Sequence, residues 1–323
     1  MSFTVCGKIE KIDKEMRQVF CETMIAMAEK NPDIVLLDCD LMGAMGTVPF
    51  RERFPERTFD CGIQEADMMG IAAGLSAGGR IPFAHTFGVF ASRRSFDQVF
   101  MSCAYAGQNV KIVGSDPGIT AELNGGTHMA FEDLGMMRGL PEMTVVEPTD
   151  CTMLADLLPK IAAMRGCVYL RLVRRLCENV YEPGSSFTVG KANVLREGTD
   201  AVIFSMGYCT AQSLIAADLL AAQGISARVV DVFTLKPLDR EEIVRSAALT
   251  GAVVTAENHY INNGLGSAVA EVLSEECPTP LVRIGIQDVF GEVGKRDWLA
   301  SRFGINAPAI ADAVKKAIAK KRV

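Results

Sequence analysis

Residues 65–87 read EADMMGIAAGLSAGGRIPFAHTF. The small, apolar first part predicts a helix from about Glu65 to Ala77, and the last part a strand near Arg80–Ala84. Outward from this stretch the pattern repeats. On the N-terminal side, Asp13 can cap a helix to about Lys30 that puts Met16, Val19, Phe20, Thr23 and Met27 on one face. Asn31-Pro32 ends it, and the apolar run Ile34–Asp38 fits a buried parallel strand. On the C-terminal side, a helix from about Phe87 to Ala104 leads to strands near Val110–Val113 and Thr144–Glu147. A helix over Thr149–Met164 and a strand at Cys167–Leu172 follow. Strands separated by helical periods imply βαβ units and a mainly parallel sheet. Glu178–Ser186 interrupts the alternation, which then resumes. Strands are expected at Ala201–Phe204, Ala227–Val230 and Ala252–Ala256. Helices are expected at Ala211–Gln223 and Arg240–Ala248, from about Gly266, and from Pro308. The expected fold class is α/β, with two successive domains at 1–185 and 190–323, each a mainly parallel sheet flanked by helices.

Composition narrows the function classes. A length of 323 residues gives room for two cores, and 49% hydrophobic with 22% charged residues is a folded composition. With 33 Lys and Arg against 39 Asp and Glu, the net charge of −6 argues against a nucleic-acid surface. No apolar run reaches the ~18 residues of a membrane span, and Met1–Lys14 lacks the apolar core of a signal peptide. The expected location is cytoplasmic. The ten cysteines show no CxxC spacing and read as buried, reduced thiols. Histidine chemistry must come from His85, His128 or His259.

Three segments could carry chemistry. Glu65 opens the small apolar helix; the plainer role is to complement the helix dipole. A carboxylate held in apolar surroundings would instead have a raised pKa and could share a proton with a ligand nitrogen. In Thr86–Arg93, the residues Phe87, Phe90 and Arg93 recur every third position and are expected on one helix face. Core packing usually explains such a stripe, but two rings and a cation near a strand end could also stack on a planar heterocycle. Third, Gly114–Gly118 and Asn124–His128 form a long glycine-rich loop ending in a histidine, and loops of that length are commonly functional. Gly70, Gly74 and Gly78, four apart, are expected to mark close helix packing, plausible at a subunit interface. Asn263–Ser267 (NGLGS) imitates a dinucleotide loop but lacks the third glycine of GxGxxG.

In this order the motifs resemble the C-terminal half of transketolase, a thiamine diphosphate enzyme. They are DxGIxEA around Glu65, TFxxFxxR through Phe87, Phe90 and Arg93, GGTH ending at His128, and DVFTLKPLD at 231–239. The resemblance covers nearly the whole chain and implies a pyrimidine-binding domain followed by a C-terminal domain. It implies that Glu65 bonds the pyrimidine N1′ and that Ile63, Phe87, Phe90, Arg93 and Asp40 also contact the cofactor. It gives His128 a catalytic contact with the donor's oxygens, and places Arg17, Asn124 and Arg174 on the substrate, a sugar or sugar phosphate. The family holds magnesium and the diphosphate through a GDG motif that this sequence lacks. The resemblance therefore implies an N-terminal transketolase subunit as partner, in an α2β2 heterotetramer, with no nucleic-acid or membrane partner.

Three positions depart from the family pattern. Asn124 stands where an aspartate is usual, and Asp116 and Ala44 where many members have a phosphate-binding histidine and serine. An aspartate repels phosphate, so a ketose with another anionic end is one expectation. Two alternatives are the β subunit of a 2-oxo acid dehydrogenase, which shares the domain plan, and a non-catalytic scaffold half.

Overall fold

The computed structural model describes residues 2–321. Its strands are β1 (Ile34–Asp38), β2 (Thr58–Asp60), β3 (Ile81–Phe87), β4 (Lys111–Ser115), β5 (Thr144–Val146), β6 (Val168–Leu172), β7 (Asn193–Arg196), β8 (Ala201–Ser205), β9 (Ala227–Asp231), β10 (Thr234–Lys236), β11 (Val253–Tyr260) and β12 (Leu281–Ile286). The first sheet has the order β10-β5-β6-β4-β3-β1-β2 and the second β12-β11-β8-β9-β7. Each is parallel apart from one antiparallel edge, β10 on β5 and β7 on β9. Helices flank both sheets, so central strands such as IVLLD in β1 and AVIFS in β8 are buried throughout. Burial on both faces is why they read as continuous apolar runs rather than alternations.

Several local expectations are corrected. Glu15, not Asp13, caps the first helix, Met16–Lys30, through a reciprocal capping box with Gln18. The expected helix from Phe87 to Ala104 is not one regular helix. Strand β3 extends through Phe87, and π-helical turns at Phe90–Arg94 and Val99–Tyr105 flank a short α-turn. Phe87, Phe90 and Arg93 therefore do not share a helix face. The short edge strands β2, β7 and β10 were not expected; three or four residues carry too little periodicity to reveal a strand. Gly70 and Gly74 are exposed, and among the described residues nothing lies within 4 Å of where a Cβ would stand. Cys39 and Cys167 are buried, and burial pushes the Cys39 thiol up to about 12. The cysteines are all free. No helix among the described residues is long and apolar enough to cross a membrane.

The two halves are joined through buried polar groups. Arg171 of β6 is wholly buried and holds Asp133 with Nε and Nη2 at 2.8 and 3.1 Å and Glu147 with Nη1 at 2.8 Å. Its Nη2 also donates to the Ala130 carbonyl and, in the second half, to the Asn258 carbonyl, at 3.0 and 2.9 Å. Asp231 at the end of β9 accepts hydroxyls from Thr149 and Tyr181 of the first half at 2.7 and 2.6 Å.

Burial pushes the Asp231 carboxyl up to about 7, although those hydroxyls oppose the shift. A folded-state pKa raised above the unfolded one gives stability that is full below the unfolded value and is lost as pH rises through the folded value. The stability difference between wild type and Asp231→Asn should therefore fall by about 1.4 kcal/mol per pH unit between about pH 4 and 7, then level off. Urea unfolding of both proteins across that range measures it; parallel profiles would show that Asp231 stays ionised.

Candidate active site

The carboxyl ends of β1, β3, β4 and β6 bring the singled-out segments to one end of the first sheet, where ligands of open α/β sheets gather. Glu65 is the first residue of the helix Glu65–Ala77 and is only 2% exposed. It is not in purely apolar surroundings, as the sequence reading expected. A single nitrogen, Nη1 of Arg94, donates to both carboxylate oxygens at 2.8 and 2.9 Å. The Arg94 guanidinium lies over the Phe90 ring, 3.9 Å from its centroid.

Arg94 thus stands where the sequence reading put Arg93. A π-turn advances the chain by more than four residues per turn, so the cation over Phe90 comes from the position after the one that period-three counting selects. Arg93 instead pairs with Glu132 at 2.7 Å and donates to the Thr127 carbonyl at 3.2 Å, bracing the loop that carries His128.

Phe87, Phe90 and His128 form one aromatic cluster. The two phenyl centroids are 6.1 Å apart, and the imidazole meets them edge-on at 6.0 and 5.4 Å. His128 Nδ1 shares a 2.9 Å hydrogen bond with the Thr127 hydroxyl. Asn124, earlier in the same loop, is exposed. Loop geometry is set by Glu122, whose backbone has φ 49° and ψ −115°. Its carboxylate holds Arg175 at 3.1 Å and, from the second domain, Arg296 at 3.2 Å. Those anchors keep a non-glycine residue in a costly conformation. The sequence reading missed both Glu122 and Arg296, which meet from 174 positions apart.

Arg17 and Arg174 converge on one carbonyl, that of Ala44, with Nη1 atoms 2.7 and 3.2 Å away. Each carries a carboxylate partner: Glu15 for Arg17 at 2.6 Å and Asp116 for Arg174 at 2.7 Å. The backbone of Asp116 is left-handed (φ 56°), and its Oδ1 is buried without a partner. Arg174 also lies 5.1 Å from the Phe87 centroid. The contacts thus run unbroken from Glu65 through Arg94, Phe90 and Phe87 to Arg174. Asp40 and Ile63 stand on the rim, both exposed, Ile63 by 68%. Asp60 fixes this rim by accepting from the Asp40 and Gly62 amides at 3.0 and 3.1 Å.

The other two histidines lie outside this surface. His85 is wholly buried between Asp38 (2.6 Å) and Ser115 (3.0 Å), a strut tying β1, β3 and β4 beneath Phe87. His259 is also buried, and burial pushes its imidazole down to about 4. It accepts from the Gly135 amide at 3.3 Å and bonds the Tyr260 carbonyl at 2.7 Å, as the neutral ring should. The NGLGS stretch starts a helix whose free amides serve this chain: Leu265 and Gly266 donate to Glu257 at 2.7 and 2.8 Å. That helix end already holds a carboxylate, so it offers no dinucleotide phosphate site.

Comparison with known proteins places this geometry. Residues 13–179 match the transketolase pyrimidine-binding domain and residues 190–310 the transketolase C-terminal domain. The chain is 51% identical over 306 residues to the 6-deoxy-6-sulfo-D-fructose transketolase subunit SqwH of Clostridium sp. (strain MSTE9), covering 95% of each chain. It is 40% identical to a putative transketolase C-terminal section of Methanocaldococcus jannaschii, covering 97% of this chain and 99% of that one. Among solved structures it is similar to a split gene transketolase, an inactive beta4 tetramer, at 46% identity and a TM-score of 0.89, covering 95% of this chain and 99% of that one. The chain belongs to the transketolase family and carries that family's pyrimidine-binding and C-terminal domains.

Proposed function

We propose that this chain is the C-terminal subunit of a split, thiamine diphosphate-dependent transketolase whose ketose donor ends in a sulfonate. The observation that carries the substrate assignment is the pairing of Arg17 with Glu15 and of Arg174 with Asp116 around the Ala44 carbonyl. Two guanidiniums suit an oxyanion, but each already has a carboxylate partner that offsets its charge. A singly charged sulfonate tolerates the nearby Asp116 better than a phosphate dianion does, since the repulsion scales with the product of charges. The SqwH relative's name gives 6-deoxy-6-sulfo-D-fructose as its substrate, a sugar with that end.

The residues present fit the aminopyrimidine of the cofactor: a buried carboxylate beside a phenyl ring that already carries a stacked, planar donor. Thiamine diphosphate, held by Glu65 against Phe90, would supply the nucleophile and electron sink that cleavage beside a ketose carbonyl needs. Glu65 holds a proton at the pyrimidine N1′, and Phe87 and Phe90 exclude water from one ring face. His128, aimed by Thr127, hydrogen-bonds a donor oxygen, with Asn124 and the free Oδ1 of Asp116 left for sugar hydroxyls. Asp40 and Ile63 border the cofactor, and Arg93 braces the loop that carries His128. Among the described residues no three His, Cys, Asp or Glu side chains form a metal cluster. We assign magnesium and the diphosphate to an N-terminal partner subunit, in an α2β2 assembly in the cytoplasm.

The test is ketol transfer by this chain mixed with its N-terminal subunit, thiamine diphosphate and magnesium. The expected result is a higher kcat/KM for 6-deoxy-6-sulfofructose than for fructose 6-phosphate. Preference for the phosphate donor would overturn the substrate assignment; decarboxylation of a 2-oxo acid would overturn the reaction. Arg174→Lys, which loses the guanidinium fork, should raise the sulfonate donor's KM about ten- to a hundredfold with little change in kcat. Asp116→Asn keeps the shape and tolerates the left-handed backbone, so it should shift preference toward phosphate.

A further inference from the structure

The contact between Arg94 and Glu65 has the form of a ligand complex made by the chain itself. A planar, delocalised group lies 3.9 Å over the Phe90 ring and presents one nitrogen almost equidistant from the two Glu65 oxygens. Stacking on Phe90 while donating to Glu65 is what an aminopyrimidine would do here. Two planar groups cannot share one ring face and one carboxylate edge. We infer that Arg94 is an internal stand-in for the cofactor's pyrimidine, and that cofactor binding displaces it; the inference rests on the thiamine diphosphate reading above.

Arg94 is able to leave. Its side chain is 45% exposed while Glu65 is 2% exposed, so the guanidinium can swing into water without opening the core. The π-turn at Phe90–Arg94 supplies the side chain from a local irregularity rather than from a regular helix face. Glu65 cannot follow, because it is fixed at the first position of a thirteen-residue helix. In the free chain Arg94 satisfies a buried carboxylate that would otherwise stand unpaired, at some cost to the observed affinity for the cofactor. The apparent dissociation constant then equals the intrinsic one divided by the fraction of molecules whose arginine is out.

The experiment is calorimetric titration of thiamine diphosphate, with magnesium, into the cofactor-free complex of this chain with its N-terminal subunit. Arg94→Met keeps an unbranched stem but has neither the planar group that lies over Phe90 nor a donor for Glu65, so binding should tighten on the order of tenfold. Arg94→Lys can still pair with Glu65 but cannot stack, and should fall between wild type and Arg94→Met. Unchanged or weaker binding by Arg94→Met would overturn the inference, because an arginine that braces Glu65 in the bound state must weaken binding when removed. Should Arg94→Met not assemble, the Arg94→Lys affinity decides by the same rule. A wild-type complex that binds no thiamine diphosphate would sink the proposed function. A wild-type complex that binds it, with variants that gain nothing, sinks only the role of Arg94.

Discussion

Glu65→Gln in the assembled enzyme should lower ketol transfer by about a hundred- to ten-thousandfold, the range of a positioned proton-transfer group, and leave the unfolding temperature nearly unchanged. The amide keeps the shape of the side chain and one acceptor oxygen at the first position of the helix. It cannot hold a proton for a ring nitrogen. Arg94, freed of its partner, is exposed enough to remain hydrated, so no buried charge is stranded. Because Gln leaves the Phe90 face in place, the loss should appear in kcat more than in cofactor affinity. Steady-state kinetics beside a thermal melt separates the two effects, and turnover within tenfold of wild type would remove Glu65 from the chemistry.

Arg171→Met carries the largest expected stability effect, about 3–5 kcal/mol, because it leaves buried charges without a partner. Burial pushes both partner carboxyls up. At Asp133 the Arg171 charge and hydrogen bonds outweigh burial and hold the group below its ordinary value, whereas at Glu147 burial wins. Without the guanidinium Asp133 would keep only the Tyr169 hydroxyl, at 2.7 Å, and Glu147 would lose its donor, together with the carbonyls of Ala130 and Asn258. Native stabilities of about 5–15 kcal/mol make that a large share of the total. The urea midpoint should fall accordingly. A loss under ~1 kcal/mol would mean that water or protonation replaces the arginine without difficulty.

The strands buried on both faces were legible in the sequence because β1, β4, β6, β8 and β9 are short, mostly apolar runs, broken only by charged or polar residues such as Lys111, Arg171 and Asp231 that are themselves buried. The helix Glu65–Ala77 and the four motifs were legible for a similar reason. Each is a local pattern of residue types close together along the chain. Glu65, Phe87, Phe90 and His128 were found this way, and the fold brings them together.

What the sequence withheld depends on partners distant along the chain. Three-residue strand β10 lies within the second half yet completes the first sheet, since only pairing with β5 makes it a strand. Arg93 was chosen over Arg94 because spacing assumes a regular helix, and the π-turn at Phe90–Arg94 changes that count. The neutralised arginines at Ala44 and the Glu122 clamp likewise arise from side chains that meet across the fold. Sequence by itself determined the family and the alternation of elements, because those are written in short-range pattern. Tertiary structure alone decided which cation faces Glu65 and which carboxylates pair with Arg17 and Arg174, because electrostatics depends on distance in space and not on separation along the chain.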